Sequence, residues 1–255
     1  MRHWGPGMSQ IETRIEHEAS LMIDTLQREF DAGMPVNPAP FINCAVSNVI
    51  CSMIMNTRFE HDSPDFQQFI HNFDEGFRLF TQTGAMMYLP FLKHFPGVKR
   101  SIQQIKQNRN EMVAFVKKII NQHKETLDHS NPKDLIDSYL IIIEKIKSDD
   151  SNNNTEKGNM FHGFDPEEQL EQIILDLFSA GVETLKTSML WSIIYMLHNP
   201  EVLKKVQAEI DTKVGTNRLP KVKDMSQLVY TKATMYEIMR RSSVVPMGTT
   251  HSTER

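Results

Sequence analysis

The chain has 255 residues, 40% hydrophobic and 24% charged, and its 28 Lys and Arg against 32 Asp and Glu leave a formal charge of −4. That length can bury a large core in roughly one or two domains. The slightly acidic balance, with no basic stripe interleaved with aromatics, argues against a nucleic-acid partner. The only cysteines, Cys44 and Cys51, lie seven apart in a helical pattern, which excludes a disulfide scaffold or a Cys-x-x-Cys metal site and reads as core packing.

In chain order, Ser9 to Phe30 reads as an amphipathic helix with Ile11, Ile15, Ala19, Met22, Ile23 and Leu26 on one face. Residues 33–40, with three prolines, form a stiff connector, and Phe41 to Asn56 is a second, more apolar helix. His61-Asp62-Ser63-Pro64 opens a third, running to about Thr83, whose aromatic face carries Phe66, Phe69, Ile70, Phe73, Phe77 and Phe80. Core packing is the plainer reading of that stripe, with ligand contact as the alternative. Residues 86–97 are a proline-broken apolar connector where a surface loop should be polar, so a lid, a partner or a membrane surface is expected to cover it. Val98 to His123 and Pro132 to Lys147 are further helices, and residues 148–163, with Asn152-Asn153-Asn154 and no periodicity, read as a disordered loop.

Asp165 to His198 is the organising stretch. Asp165 suits an N-cap, Pro166 the first helical position, and Glu167 and Glu168 the first turn. Its apolar residues recur on several faces, which predicts a helix buried on most sides, about 50 Å long at ~1.5 Å per residue. Asn199-Pro200-Glu201 stops it and caps the next helix, Pro200 to Val214, which Gly215 closes. Val229 to Arg241 is the last helix, and residues 242–250 read as an extended segment leading towards a strand. The fold class is mainly α: about eight helices, a long central one, and little β.

No run of 18 apolar residues occurs, and Met1-Arg2-His3-Trp4-Gly5 does not open a signal peptide, so the segment itself reads as water-soluble. Gly-rich nucleotide loops, Gly-x-Ser-x-Gly and His-Glu-x-x-His are absent. No two histidines stand three or four apart and there is no Glu-x-x-His, which argues against a helical zinc or di-iron site.

Candidate chemistry concentrates in the central helix. Gly181 costs about 1 kcal/mol there relative to Ala, and Glu183 is a carboxylate on a largely apolar rod. The Thr184 hydroxyl can bond the Ala180 carbonyl while Gly181 lets the helix bulge, giving a polar pocket with an acid to relay protons. Close packing of small residues explains the same spacing. Glu237 and Arg240 three apart form an ordinary surface ion pair by spacing, and His251 alone is unspecific.

Taken in order, Ala180-Gly181-Val182-Glu183-Thr184, then Asn-Pro-Glu-Val opening the next helix, Glu-x-x-Arg 53 residues past the Thr, and Val-Pro with a His eleven after the Arg, resemble the cytochrome P450 superfamily of haem-thiolate monooxygenases. Residues 179–253 look like the microsomal type, and Ala180 to Thr184 with Arg240 to Pro246 look like the insect ecdysteroid 26-hydroxylases. The resemblance implies that Ala180 and Gly181 border the distal face of haem, that Glu183 and Thr184 deliver protons during oxygen activation, and that His251 reaches a haem propionate. It implies substrate contacts for Asp176, Val245 and Thr249, and a buried, structural ion pair for Glu237 and Arg240. The aromatic helix and the loop of residues 88–96 become the pocket roof and a membrane contact.

The same resemblance makes residues 1–255 a partial P450 domain, beginning after the propionate-binding helix and ending before the Phe-x-x-Gly-x-Arg-x-Cys-x-Gly loop. No axial Cys and hence no metal ligand is then in this chain, and it alone is not expected to turn over. The parent is expected to hold haem, to take electrons from NADPH through a partner cytochrome reductase, to hydroxylate a hydrophobic, steroidal substrate, and to sit on the cytosolic face of the endoplasmic reticulum membrane. A non-catalytic all-helical binding or scaffold module, and a truncated product competing for the same lipophilic ligand, are the alternatives.

Overall fold

The structure is a computed structural model, and it describes residues 8–33, 35–87, 89–150, 164–246 and 248. Eight α-helices form among these residues and no strand: α1 Met8–Asp31, α2 Ala39–Ile54, α3 Pro64–Thr83, α4 Pro96–Glu125, α5 Leu135–Asp150, α6 Pro166–His198, α7 Pro200–Lys213 and α8 Val229–Ser242. Of the expected disordered loop, residues 148–150 belong to the end of α5, and 151–163 lie outside the described residues. The apolar connector after α3 is two 3-10 turns, Gly84–Met87 and Pro90–His94. The segment expected to be extended turns instead: Ser243 ends α8 in the left-handed region at φ 30°, and Gly248 follows at φ 66°.

The described chain forms two compact units: residues 1–11 with 47–181, and 12–46 with 182–255. In the first, α3 and α4 run antiparallel in a fixed register. The buried Asn72 donates to Glu111 at 2.9 Å, the buried Asn108 donates to Glu75 at 2.8 Å, and Lys118 pairs with Asp65 at 3.1 Å. A slip of one helix over the other strands two buried amides, so this polar pairing sets the register that apolar packing leaves loose.

Beneath that hairpin lies an aromatic core. Phe69 of α3 stacks on Phe115 of α4 at 4.3 Å and meets Phe178 of α6 at 4.8 Å, while Phe59 stacks on Phe66 at 4.7 Å. The predicted phenylalanine stripe therefore divides: Phe66 and Phe69 are core, whereas Phe80, 60% exposed, and Phe77 face outward.

A second polar cluster joins α4 and α5 to Met55, just past the end of α2. Asp134 and Asp137 cap the start of α5 reciprocally, Asp134 Oδ1 accepting from the Asp137 N–H at 2.9 Å and Asp137 Oδ2 from the Lys133 N–H at 3.0 Å. His123 of α4 reaches Asp137 Oδ1 through Nδ1 at 2.8 Å and the Met55 carbonyl through Nε2 at 3.2 Å. Both ring nitrogens thus face acceptors. Burial pushes the Asp134 carboxyl above the usual range.

In the second unit, Glu209 of α7 caps α8 from outside, accepting the backbone N–H groups of Tyr230 at 2.9 Å and Thr231 at 2.7 Å and the Thr231 hydroxyl at 2.7 Å. The Thr231 hydroxyl first, then the two N–H groups, hold its carboxyl below the ordinary value. Gly215 closes α7 at φ 85°, a conformation glycine adopts without strain. Arg218 grips Asp224 with two bonds of 2.6 and 2.9 Å. The Tyr195 hydroxyl donates to the Arg241 carbonyl at 3.2 Å, tying the end of α6 to the end of α8.

Candidate functional site: the middle of α6

Helix α6 begins as its sequence dictates. Asp165 Oδ1 accepts the N–H groups of Glu167 at 2.8 Å and Glu168 at 3.0 Å, and these bonds hold the Asp165 carboxyl below its ordinary value. The far end differs from expectation. Asn199 Nδ2 donates back to the Tyr195 carbonyl at 2.8 Å, so this side chain closes α6 rather than capping α7. From Pro166 to His198 the helix is α-helical without interruption, and the bulge invoked for Gly181 is not needed.

The expectation of burial on most sides holds for the first half only. Leu170, Ile174, Leu175, Phe178 and Val182 are core, whereas Leu185, Trp191 and Leu197 are 47%, 37% and 70% exposed. Leu177, Ala180 and Thr184, three and four residues apart, are all exposed, and Leu185 and Asp176 are exposed beside them. A mostly apolar stripe interrupted by one hydroxyl thus runs along the middle of the helix.

Gly181 has a packing reason to be glycine: a Cβ there would lie 2.9 Å from Cδ1 and 3.3 Å from Cγ1 of Ile50 on α2. Glu183 is held from its C-terminal side. Lys186 Nζ stands 2.5 Å from Glu183 Oε2, and the Thr187 hydroxyl donates to Glu183 Oε1 at 3.4 Å. The Thr184 carbonyl accepts the Ser188 hydroxyl at 2.7 Å.

The other predicted positions are distributed. Glu237 and Arg240 make the expected pair, with two bonds of 2.7 Å, and Arg241 adds a third contact at 3.3 Å. The pair is 51% and 67% exposed in its side chains, where the resemblance implied burial, because the α8 face that carries it also leaves Tyr236 and Met239 exposed. The Arg240 guanidinium keeps the Glu237 carboxyl below its ordinary value. Val245 is exposed, and Thr249 and His251 lie outside the described residues.

Both thiols are buried in the middle of α2, so neither Cys44 nor Cys51 is presented as an axial ligand. One group among the described residues brings metal-ligating atoms together, His123, Asp134 and Asp137, within 4.8 Å of one another. The α5 cap and the Met55 carbonyl engage these side chains, and Asp134 Oδ2, without a hydrogen bond, stands 3.5 Å from His123 Nδ1, so the cluster acts as a structural brace. Sequence reasoning missed Lys186, Glu209 and His123. Only Lys186, one helical turn from Glu183, left a signal in the sequence.

Comparison with known proteins identifies the family. The cytochrome P450 family profile matches residues 2–255. Cytochrome P450 18a1 of Drosophila melanogaster is 43% identical over 255 residues, covering 100% of this chain and 46% of that protein. Cytochrome P450 2U1 of Bos taurus is 36% identical over 261 residues, 99% of this chain and 44% of that one, and cytochrome P450 2B9 of Mus musculus 35% over 254 residues, 98% and 48%. The chain belongs to the cytochrome P450 family, and it spans about half the length of these relatives.

Proposed function

We propose that this chain is the middle part of a haem-thiolate monooxygenase that inserts one oxygen atom of dioxygen into a C–H bond of a hydrophobic, steroidal substrate, an ecdysteroid being the first to test. The observation that carries the reading is the exposed stripe in the middle of α6, where Ala180 and Thr184 stand among Leu177 and Leu185. A flat apolar surface with one hydroxyl fits the face of a macrocycle. The ecdysteroid assignment draws on the resemblance carried by Ala180 to Thr184 and Arg240 to Pro246.

Haem would supply oxygen activation, and its thiolate ligand would come from outside the two buried α2 cysteines. The chain's own residues do the rest. Ala180 keeps the helix surface low where the macrocycle would lie, and Gly181 beside it lets α6 pack closely on Ile50. Thr184 holds a hydroxyl at that surface, and Glu183 beside it carries the proton supply. Electrons come from NADPH through a partner reductase. The two 3-10 turns after α3 expose Leu89, Phe91 and Phe95 beside Lys93 and His94, a composition suited to an endoplasmic-reticulum membrane surface on its cytosolic side. No helix among the described residues is long and apolar enough to cross a membrane.

The test pairs two proteins. The full-length parent, purified with haem, should give a thiolate-type Soret band in its reduced carbon monoxide spectrum and convert an ecdysteroid to a product one oxygen heavier. The 255-residue chain reconstituted with haem should give neither. A thiolate-type band from the chain alone refutes the ligand assignment, and a full-length protein that binds steroids without oxidising them refutes the enzyme.

A further inference from the structure

Lysine is among the side chains least often withdrawn from water, and an ammonium out of water is tolerated only when paired. Lys186 is 13% exposed on a helix that is otherwise largely apolar, and its Nζ lies 2.5 Å from Glu183 Oε2. Thr187 occupies the other carboxylate oxygen from the same side. Glu183 thus has both oxygens engaged one turn towards the C-terminus, by residues three and four positions on, with the acid N-terminal to the base as a helical pair prefers. With Lys186 at 13% and Glu183 at 34% side-chain exposure, the pair is partly shielded from the screening that weakens pairs in open water.

We propose that Lys186 is a positioning residue for the monooxygenase reaction: its ammonium fixes the rotamer of Glu183, so that the acid beside Thr184 is held in one orientation until the proton is needed. The inference rests on the function proposed above and adds to it a residue that touches neither haem nor substrate. Without Lys186, Glu183 keeps its place on the helix but swings between rotamers, and proton supply at Thr184 becomes irregular while the pocket is unchanged.

Two measurements on the full-length parent test this. The first needs no turnover: acylation of lysines by an amine-reactive ester, read residue by residue by mass spectrometry. Lys186 should react severalfold more slowly than the exposed Lys204, and E183Q should remove that protection; equal rates in the parent overturn the ion pair. Should E183Q fail to fold, E183D, which keeps Lys186 for the readout and shortens the carboxylate's reach to Nζ, takes its place and should raise the Lys186 rate above that of the parent. The second is coupling. In K186M, product per dioxygen consumed should fall about tenfold with a matching rise in peroxide, short of the ~10²-fold that loss of a proton-handling group costs. Substrate affinity should be unchanged, and K186R should restore coupling. Unaltered coupling in K186M makes the pair structural and overturns the proposal. A parent that shows lysine protection but no oxygenase activity refutes the proposed function instead, so the two failures are told apart.

Discussion

Whether Gly181 is there for a ligand or for packing can be decided by substituting it and its neighbour together. Alanine at 181 gains about 1 kcal/mol of helix propensity over glycine. Its Cβ would stand 2.9 Å from Ile50 Cδ1 and 3.3 Å from Ile50 Cγ1. The nearer atom ends a flexible side chain, which can rotate away at an off-rotamer cost of about 0.5–1.5 kcal/mol. The two effects nearly cancel, so Gly181→Ala should change stability by less than about 1 kcal/mol, against the 1–3 kcal/mol typical of forcing atoms into a rigid core. Ile50→Val removes Cδ1 and costs ~0.5–1.5 kcal/mol by itself. In that background Gly181→Ala should become stabilising by close to the full propensity gain, a coupling of about 0.5–1.5 kcal/mol. The assay is urea unfolding followed by far-UV circular dichroism for the parent, both single variants and the double. Zero coupling would mean that the Ile50 contact does not constrain residue 181, and the packing explanation would be wrong.

Four further outcomes follow from the geometry. Phe69→Ala, which empties a site lined by Phe73, Phe115 and Phe178, should cost about 3–5 kcal/mol by the same assay, whereas Phe80→Ala should stay within ~0.5 kcal/mol. Asn72→Leu leaves Glu111 without its nearest amide donor and should cost about 1–3 kcal/mol, measurable as a lower urea midpoint; a neutral result would show that the α3 and α4 register needs no polar pin. Asp224, held at a pKa of about 2 chiefly by Arg218, has a folded value below its unfolded one, so its contribution is present above the unfolded value and is lost as pH falls through about 2. Asp224→Asn should therefore lower the melting temperature at neutral pH, and the gap to the parent should shrink between pH 4 and pH 2; a gap that widens on acidification contradicts the assignment. Glu237→Ala should be nearly neutral in the 255-residue chain, where the pair is exposed, and should abolish haem retention in the full-length protein if that context buries Arg240; equal effects in both would remove the structural role given to the pair.

The helices were legible because their signals are local. Asp165-Pro166-Glu167-Glu168 sets the start of α6 and Gly215 the end of α7 through bonds within one turn, and the periodicity between them needs no knowledge of partners. Burial was less legible. The stripe from Phe66 to Phe80 has one periodicity throughout, yet α4 and α6 cover only its first half, and nothing in α3 itself says where that cover stops. Polar braces were illegible for a related reason. Glu209 caps a helix that begins 20 residues later and His123 serves α5 across a loop, so each depends on where a distant backbone N–H or carboxylate arrives. Within the candidate site the order of Ala-Gly-x-Glu-Thr, Glu-x-x-Arg and Val-Pro pointed to the family. The lysine that holds Glu183 does not belong to that pattern; its spacing stood in the sequence, and side-chain placement showed that the pair forms.

The exposed half of α6 carries the remaining argument. Leu185, Met189, Trp191, Ile194 and Leu197 face out along one helix, and Val229, Tyr236 and Met239 face out from α8. Full burial of a large apolar side chain contributes about 1.5–3 kcal/mol, so leaving these in water forgoes a sum comparable to the whole stability of an ordinary domain. A helix with that composition is stable chiefly when something covers it, and the relatives are about twice the length of this chain. On the proposed reading the cover is haem at Ala180 and Thr184 and further chain beyond them. The 255-residue chain should accordingly bind a hydrophobic dye such as anilinonaphthalene sulfonate strongly and the full-length haem protein weakly. Equal dye binding by the two would mean that these faces stay open in the parent, and α6 could not then be its central strut.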